Sequence, residues 1–421
     1  MTQLACTPNE QGFSLKKRIR LWLANAPRGQ FWLFFVGAGL FNFGFSVFFF
    51  LFNLYLLDLG MTERTLGVIG SLIAVGSIAG TIPFGVIAQR FGLRHTLTVG
   101  VLLTVTLSIL RTCIVAEIAQ FALAICIGLT LCFWAVCLSP SIAALTTEQE
   151  RPIAFSLIFA SGIGVTGLGS FTAGRLPGLI QKLHFTSLTP IQAKQATLLF
   201  ACVGALVALI PISGLTLRPA ASEVSLPRFS NPFLRKFLPA IALWSLVTGS
   251  FAPFANVYFV HHMGFSLERA GAVMSSGSLA QFIAVLAVPL LFRKAGLITG
   301  VMLTQFSTAF ALGMLAFAHG TASAAAIYWI YVAAQNMNEP GIYSLLMDRI
   351  PVTEHNGASA ATFFVSGIAQ AVASLTMGTA IVRFGYSPAM LIIAVLAVAA
   401  GIVFRKLPEN TPSTENPMFE L

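Results

Sequence analysis

The sequence contains few charged residues. Only 9% of its 421 residues are Asp, Glu, Lys or Arg, and 57% are hydrophobic, whereas soluble domains carry about 25% charged residues. No G-x-x-x-x-G-K-S/T segment occurs, so the sequence lacks the phosphate-binding loop of an ATP-driven pump. It also shows no pairing of a nucleophile with a general base. These absences argue against an enzyme and against a bound cofactor.

The six cysteines form no metal-ligand pair such as C-x-x-C. Five of them lie in or beside apolar stretches, where Cys behaves as a small hydrophobic residue. We therefore expect neither a metal site nor a disulfide framework.

Long apolar stretches take the place of charge. A bilayer core about 30 Å thick is crossed by about 20 apolar residues in a helix, and stretches of this length recur along the chain. We predict an all-α membrane protein with twelve transmembrane helices in two six-helix bundles. The predicted spans are residues 31–57, 65–89, 95–113, 117–144, 153–179, 194–215, 238–260, 268–292, 297–318, 322–348, 358–383 and 388–404.

A polar segment near the middle divides the chain. Residues 218–237 carry three prolines and charges of both signs, so they are predicted to form a linker. The predicted division is a cytoplasmic segment at 1–30, a first bundle at 31–215, a cytoplasmic linker at 216–237, a second bundle at 238–404 and a cytoplasmic tail at 405–421.

The two halves contain similar segments. "FNLYLLDLGMTERTLGVIGSL" at 52–72 aligns with "ANVYFVHHMGFSLERAGAVMSSGSL" at 255–279. Asn53 aligns with Asn256 and Tyr55 with Tyr258, and both segments continue with Glu-Arg and a Gly. Duplicated halves are common in secondary transporters, so we predict two pseudo-symmetric bundles. Chance similarity between apolar sequences is the alternative.

The basic residues indicate an orientation. Seventeen of the 24 lysines and arginines fall in the segments on the same side as the N-terminus, and seven, including Arg111, fall on the other side. Because cytoplasmic loops carry an excess of Lys and Arg, both termini are predicted to be cytoplasmic, in the cytoplasmic (inner) membrane. This distribution explains the net charge of +10 without a nucleic-acid partner.

The second span ends in "GVIAQRFGLRH". This segment resembles the loop signature of the major facilitator superfamily, Gly-x-x-x-Asp-Arg-x-Gly-Arg-Arg/Lys. Gly85, Arg90, Gly92 and Arg94 match the signature, whereas Gln89 stands where the family usually has Asp. The resemblance implies two six-helix bundles around a central cavity, lined mainly by spans 1, 4, 7 and 10. It also implies alternating access, in which the bundles rock about one site.

The loop is predicted to close a gate on the cytoplasmic side. Arg90 and Arg94 can pair with Glu148 and Glu150 at the end of span 4, and Asp348 lies at the corresponding place in the second half. Such ion pairs would form in one state of the transport cycle and break in the other. The alternative is that the arginines only follow the positive-inside bias.

A polar segment, "YVAAQNMNEPG", lies within the tenth span. Its side chains recur at spacings of three and four, so they share a helix face that we expect to line the cavity. Glu339 is an acid several turns inside a span, where a charge costs roughly 2.5–3.5 kcal/mol at the bilayer centre. We predict that it carries a proton. The alternative is a structural Glu held by neighbouring polar groups.

Other polar and aromatic side chains share faces of spans 1, 4 and 7. They contact substrate in one interpretation and make interhelical hydrogen bonds, worth about 0.6 kcal/mol each, in the other. The predicted cavity residues are Asn42, Asn53, Trp134, Trp244, Asn256, Tyr331, Gln335, Asn338 and Glu339.

These features predict a monomeric secondary transporter for a small molecule. An apolar, aromatic cavity with amides and one acid suits an amphipathic or weakly cationic solute better than a strongly anionic one, for which inward arginines would be expected. We predict proton-coupled efflux, as in an antiporter. Uptake of a sugar or another metabolite is one alternative, and a sensor or scaffold that does not transport is another.

Overall fold

The computed structural model describes residues 26–182, 188–217, 232–351 and 354–407. Within these ranges it contains twelve long helices and no strand. The helices are α1 (Phe31–Asp58), α2 (Glu63–Phe91), α3 (Leu93–Cys113), α4 (Glu117–Leu145), α5 (Arg151–Lys182), α6 (Pro190–Ser213), α7 (Pro232–His262), α8 (Leu267–Ala295), α9 (Leu297–Ala316), α10 (Thr321–Arg349), α11 (His355–Phe384) and α12 (Tyr386–Arg405). Residues 1–25 of the predicted N-terminal segment, most of the predicted linker and the tail from residue 408 lie outside the described residues.

Eleven of the described helices have the length and apolar composition of a membrane span. The remaining one is α10, which is 29 residues long but carries the polar segment that the sequence analysis singled out. Its composition, and not its length, therefore sets it apart. The seventh helix is described from Pro232 onwards, so it includes residues that were predicted to belong to the linker.

The helices pack as two groups of six. In the first half, α1 packs against α5 and α6, and α4 packs against α2 and α3. The second half repeats this pattern, since α7 packs against α11 and α12, and α10 packs against α8 and α9. Between the halves, α2 packs against α11 and α5 against α8. The two halves are thus related by an approximate twofold.

The aligned tyrosines confirm the repeat at the level of single contacts. Tyr55 donates a hydrogen bond from its hydroxyl to the carbonyl of Thr112 on α3, at 3.1 Å. Tyr258 donates in the same way to the carbonyl of Leu315 on α9, at 3.1 Å. Because α3 and α9 occupy equivalent places in the two bundles, the sequence match reflects a structural duplication.

The side of the molecule at which α1 begins is called here the predicted inner side, and the opposite side the predicted outer side. Two helix crossings between the halves lie near the predicted outer side, and both depend on glycine. A Cβ on Gly67 would lie 2.5 Å from a backbone oxygen of α11 and 3.1 Å from the Cα of Gly378. A Cβ on Gly174 would lie 2.8 Å from a backbone oxygen of α8 and 3.0 Å from the Cα of Gly271. Only glycine permits such approaches.

The contact that α5 makes with the second half weakens towards the predicted inner side. Gly167, Ser170 and Gly174 of α5 are buried, whereas Ser156, which lies on the same helix face nearer the inner end, is exposed. The bundles are therefore in close contact at the predicted outer side.

Candidate functional site: a cavity between the bundles

A cavity of about 420 Å³ lies between the two bundles, within the range of about 300–1,000 Å³ that is usual for small-molecule sites. Helices α1, α2, α5, α7 and α8 form its walls. Most of the wall is apolar, and four phenylalanines contribute to it: Phe45, Phe49, Phe50 and Phe254. The chemistry of this surface suits a solute with a sizeable apolar part.

Three of the predicted cavity residues line this space, namely Asn42, Asn53 and Asn256. The Nδ2 group of each donates to one backbone carbonyl, which leaves its second N–H for other partners. Asn42 donates to the carbonyl of Ala38, one turn earlier in α1, at 2.8 Å. The other two asparagines join the bundles to each other.

The bond between the bundles is reciprocal. Asn53 on α1 donates from Nδ2 to the carbonyl of Pro253 on α7, at 2.9 Å. Asn256 on α7 donates from Nδ2 to the carbonyl of Phe50 on α1, at 2.6 Å. Each asparagine therefore binds the carbonyl three residues before its partner. We call this pair the asparagine clasp.

The local structure of α7 makes the clasp possible. A 3-10 turn at Ala252–Phe254 interrupts the helix, since Pro253 has no N–H to donate. The N–H of Val257 donates to Oδ1 of Asn256 at 2.9 Å, and the carbonyl of Pro253 within this turn accepts the hydrogen bond from Asn53.

The polar residues of α10 do not line this cavity. Tyr331 is buried and packs edge-on against Phe251 of α7, with ring centroids 5.3 Å apart. Asn338 is fully buried against α9, where it donates to the carbonyl of Val301 at 3.3 Å and to Oγ1 of Thr304 at 3.0 Å. Asn338 thus occupies a helix interface and not the predicted cavity face, because its helix phase directs it towards α9.

Gln335 and Glu339 lie one turn apart on α10. Gln335 is partly buried, and its Oε1 has no hydrogen-bond partner within the described structure. Glu339 is exposed, precedes Pro340 and makes no ion pair within the described part of the chain. The carboxylate is therefore not held by an ion pair within the described residues.

The two predicted tryptophans are packing residues of this state. Trp134 of α4 stacks on Phe41 and Phe34 of α1, with ring centroids 5.6 Å and 6.2 Å apart. Trp244 is buried in α7. Neither lines the 420 Å³ cavity.

The signature loop joins α2 to α3 through Gly92, which has a φ of +85° that residues with a side chain rarely adopt. The equivalent glycine between α8 and α9, Gly296, has a φ of +80°. Gly85 lies within α2, five turns after Gly67 and on the same face. Gln89 lies in the following turn and is partly buried.

The predicted inner latch is not formed in this state. Arg90, Arg94, Glu148 and Asp348 are exposed, and the ion pairs among the described residues lie elsewhere. Glu150 instead accepts a hydrogen bond from the N–H of Thr147, at 3.0 Å. The acidic and basic residues are therefore present without being paired.

Both ion pairs within the described ranges lie at the predicted outer side. Arg175 of α5 donates to Glu268 of α8 at 2.8 Å and so joins the two bundles. Lys194 of α6 donates to Asp58 of α1 within the first bundle. The gate predicted from the signature loop, with its ion pairs, lies at the opposite end of the molecule.

Sequence reasoning missed Arg111. It assigned this residue to the outer basic residues, but the side chain is only 2% exposed. The guanidinium lies 4.4 Å from the centroid of the Phe52 ring and lines a small recess beside the main cavity. One signal in the sequence could have indicated this burial. Arg111 lies near the end of an apolar span, and its partner Gln120 follows across a three-residue connection.

The family model of the Major Facilitator Superfamily matches residues 34–374. The chain belongs to the major facilitator superfamily. This confirms the predicted family and the predicted fold of two pseudo-symmetric six-helix bundles. Superfamily members are transporters and not enzymes, as predicted, so the chain is a membrane transporter of a small molecule.

Solved structures of other superfamily transporters share the fold. The nucleoside transporter NupG has a TM-score of 0.73 and 10% identity, covering 91% of this chain and 100% of its own. The xylose transporter XylE from E. coli, in an inward-open conformation, has a TM-score of 0.70 and 15% identity, covering 92% of this chain and 97% of its own. A bacterial homologue of the iron transporter ferroportin, in an inward-facing state, has a TM-score of 0.68 and 17% identity, covering 90% of this chain and 99% of its own. No curated protein matches the sequence. Identities this low show a shared fold and no more.

Proposed function

We propose that this superfamily member is a secondary active transporter that moves a small amphipathic solute out of the cell in exchange for protons. The observation that carries the proposal is the cavity between the bundles, with its phenylalanine wall and few polar groups. An apolar wall stabilises the apolar part of a solute, and a small number of fixed polar groups orient it.

Efflux is the proposed direction because of the same chemistry. An amphipathic solute partitions into a bilayer and enters a cell unaided, so a carrier is needed chiefly to remove it. The described state, closed at the predicted outer side, would load solute from the predicted inner side. The asparagine clasp and the two glycine crossings would separate when the cavity opens to the other side.

Glu339 is the proposed proton carrier. It lies about two-thirds of the way along α10 and makes no ion pair among the described residues. An ionisable group inside a membrane span costs free energy, so such groups are rare and usually have a function. Pro340 interrupts the hydrogen-bond ladder of α10 beside it, which would allow this segment to move with protonation.

The exposed charges at the predicted inner side are proposed to form the latch of the outward-open state. Arg90 and Arg94 would approach Glu148 as the bundles close there, and Gly85 would permit close contact between α2 and α11. We further propose a monomer in the cytoplasmic membrane with both termini in the cytoplasm, which labelling of terminal cysteines from either side would test.

Accumulation assays in cells test the direction. Cells that express the chain are loaded with labelled amphipathic solutes, and the proton gradient is collapsed with an uncoupler. Export predicts that more solute is retained after collapse, because efflux stops. A decrease in retained solute would instead support uptake, and no dependence on expression of the chain would favour a sensor or scaffold.

A Glu339→Gln variant tests the coupling. The amide has nearly the same shape as the carboxyl group, but it neither binds nor releases a proton at physiological pH. We expect transport in reconstituted vesicles to lose its pH dependence while the protein inserts and folds normally. Unchanged pH dependence would remove Glu339 from the mechanism. Glu354→Gln serves as the matched control, because it makes the same change at an acid near the start of α11.

Uptake of a sugar or nucleoside-like metabolite is the second candidate. The observation that favours it is the group of asparagines at the cavity, since amides bind hydroxyl groups well. The same assay with labelled xylose and uridine distinguishes the two, because uptake predicts accumulation that an uncoupler abolishes.

A further inference from the structure

The recess beside Arg111 is a distinct space next to the main cavity. Its volume is about 20 Å³, which is enough for one water-sized group. It shares five walls with the main cavity, namely Phe45, Phe49, Asn53, Ile69 and Ile73. A solute in the main cavity is therefore separated from the recess only by side chains that contact both spaces.

Arg111 is a buried cation without an anionic partner in the described structure. Its Nε donates to Oε1 of Gln120 at 3.1 Å, and its Nη2 is buried with no hydrogen-bond partner. Gln120 is itself fixed, since its Nε2 donates to the carbonyls of Arg111 and Ile114, at 2.6 Å in each case. The guanidinium is thus oriented while one of its donors stays unused.

Two of the acids at the same end of the bundle have other partners. Glu117 accepts a hydrogen bond from the hydroxyl of Thr65 at 2.7 Å, and Asp58 is paired with Lys194. Leaving a buried charge unpaired is costly, and a buried cation is normally matched by an anion. The face of Phe52 compensates for part of this cost, but an aromatic ring does not accept the unused N–H in the plane of the guanidinium.

We propose that Arg111 forms an anion-binding subsite beside the main cavity, and that its ligand is the carboxylate of an amphipathic solute whose apolar part occupies that cavity. The identity of this ligand rests on the proposed transport function, whereas anion binding at Arg111 does not. A carboxylate accepts charge-assisted hydrogen bonds from guanidinium N–H groups. The sequence favoured an amphipathic or weakly cationic solute over a strongly anionic one because it showed no inward arginine, and Arg111 is an inward arginine.

Matched pairs of small molecules test the subsite on the purified full-length protein. Each pair shares its apolar part and differs in charge: benzoate with benzamide, indole-3-acetate with indole-3-acetamide, and hexanoate with hexanamide. Binding is measured as a concentration-dependent rise in the unfolding temperature, because a ligand of the folded state stabilises it by mass action. We expect the carboxylate of at least one pair to bind at least about tenfold more tightly than its amide.

Four variants assign any such preference to Arg111. Arg111→Met should remove it, whereas Arg383→Met should keep it, because Arg383 also lies over a phenyl ring but at the exposed end of α11. If Arg111→Met does not fold, Leu131 of the recess wall gives a second test. Leu131→Glu should supply an internal partner for Arg111 and abolish the preference, and Leu131→Gln should leave it intact.

The outcomes separate the sources of the anion. The proposal would be overturned if no pair showed a carboxylate preference. It would also be overturned if the preference were equal in the wild type, in Arg111→Met and in Leu131→Glu. A third outcome would assign the subsite to a free inorganic anion and reject the solute carboxylate. In that outcome sodium chloride stabilises the wild type, sodium gluconate does not, Arg111→Met removes the effect, and no pair shows a carboxylate preference. Because binding is measured without a gradient, these results are independent of whether transport is proton-coupled.

Discussion

The two ends of the interface between the bundles are held in different ways. At the predicted outer side, backbones meet at Gly67 and Gly174, and the asparagine clasp ties α1 to α7. At the predicted inner side, Arg90, Arg94, Glu148 and Asp348 are exposed and make no ion pair with one another. The outer closure therefore depends on steric fit and carbonyl hydrogen bonds, whereas an inner closure would depend on charge.

This difference has a physical consequence. Close packing and buried hydrogen bonds respond little to salt, but ion pairs at a surface are screened, with a Debye length of about 8 Å at physiological ionic strength. We expect salt to weaken the closed inner side more than the closed outer side. Raising ionic strength should thus shift the protein towards the state described here.

A bulky residue at a glycine crossing should open the predicted outer side more than any other change considered. In Gly67→Leu the side chain would collide with the backbone of α11, and overpacking costs about 1–3 kcal/mol, or about 5- to 150-fold in a two-state equilibrium. The measurement is the rate at which an impermeant thiol reagent, added from outside, modifies Phe49→Cys in the cavity of a variant without native cysteines.

The control for this change is Gly164→Leu. It makes the same substitution at a helical glycine where a Cβ would meet nothing within 4 Å. The modification rate should stay close to that of the parent. Equal rates in Gly67→Leu and Gly164→Leu would show that the glycine crossing does not hold the outer side closed.

Removal of the asparagine clasp should have an intermediate effect. Interhelical hydrogen bonds in membranes average about 0.6 kcal/mol, so loss of each bond should shift the equilibrium about threefold. The double variant Asn53→Ala with Asn256→Ala should increase modification of the same cysteine from outside by roughly tenfold. Asn42→Ala is the control, since its bond stays within α1; a matching increase there would contradict the role of the clasp.

Removal of the ion pair between α5 and α8 should have the smallest effect. Arg175 and Glu268 have side chains that are 37% and 60% exposed, and exposed pairs contribute only about 0–1 kcal/mol. Arg175→Gln should therefore raise outside modification less than about fivefold, and the difference should vanish at about 1 M salt. Arg269→Gln, at the neighbouring position to Glu268, provides the control; an effect larger than that of the clasp variant would reverse this ranking.

Much of the fold could be predicted from the sequence. Long apolar stretches indicate membrane helices whatever their packing, and the aligned Asn-x-Tyr segments indicated the duplication that Tyr55 and Tyr258 display. The repeat also identified Asn53 and Asn256 as equivalent residues. It could not show that they bind each other's helices, because that depends on the interruption of α7 at Pro253 and on how far the bundles have closed.

The site was less predictable, for two physical reasons. Helix periodicity places Asn338 on a polar face but does not distinguish a cavity from a neighbouring helix, and α9 supplied its partners. Its position in the sequence placed Arg111 among the outer basic residues, but its burial is decided by the helices that surround α3. A charge near the end of a span is thus ambiguous until the packing is known.

The most direct test of alternating access about this cavity measures both ends of the interface at once. Spin labels at Arg64 and Arg383 report the predicted outer side, and labels at Phe91 and Lys294 report the predicted inner side. Between the wild type and the clasp double variant in lipid, we expect the outer distance to lengthen as the inner distance shortens. If both distances lengthen together, or neither changes, the two ends are not alternately closed and the account is wrong.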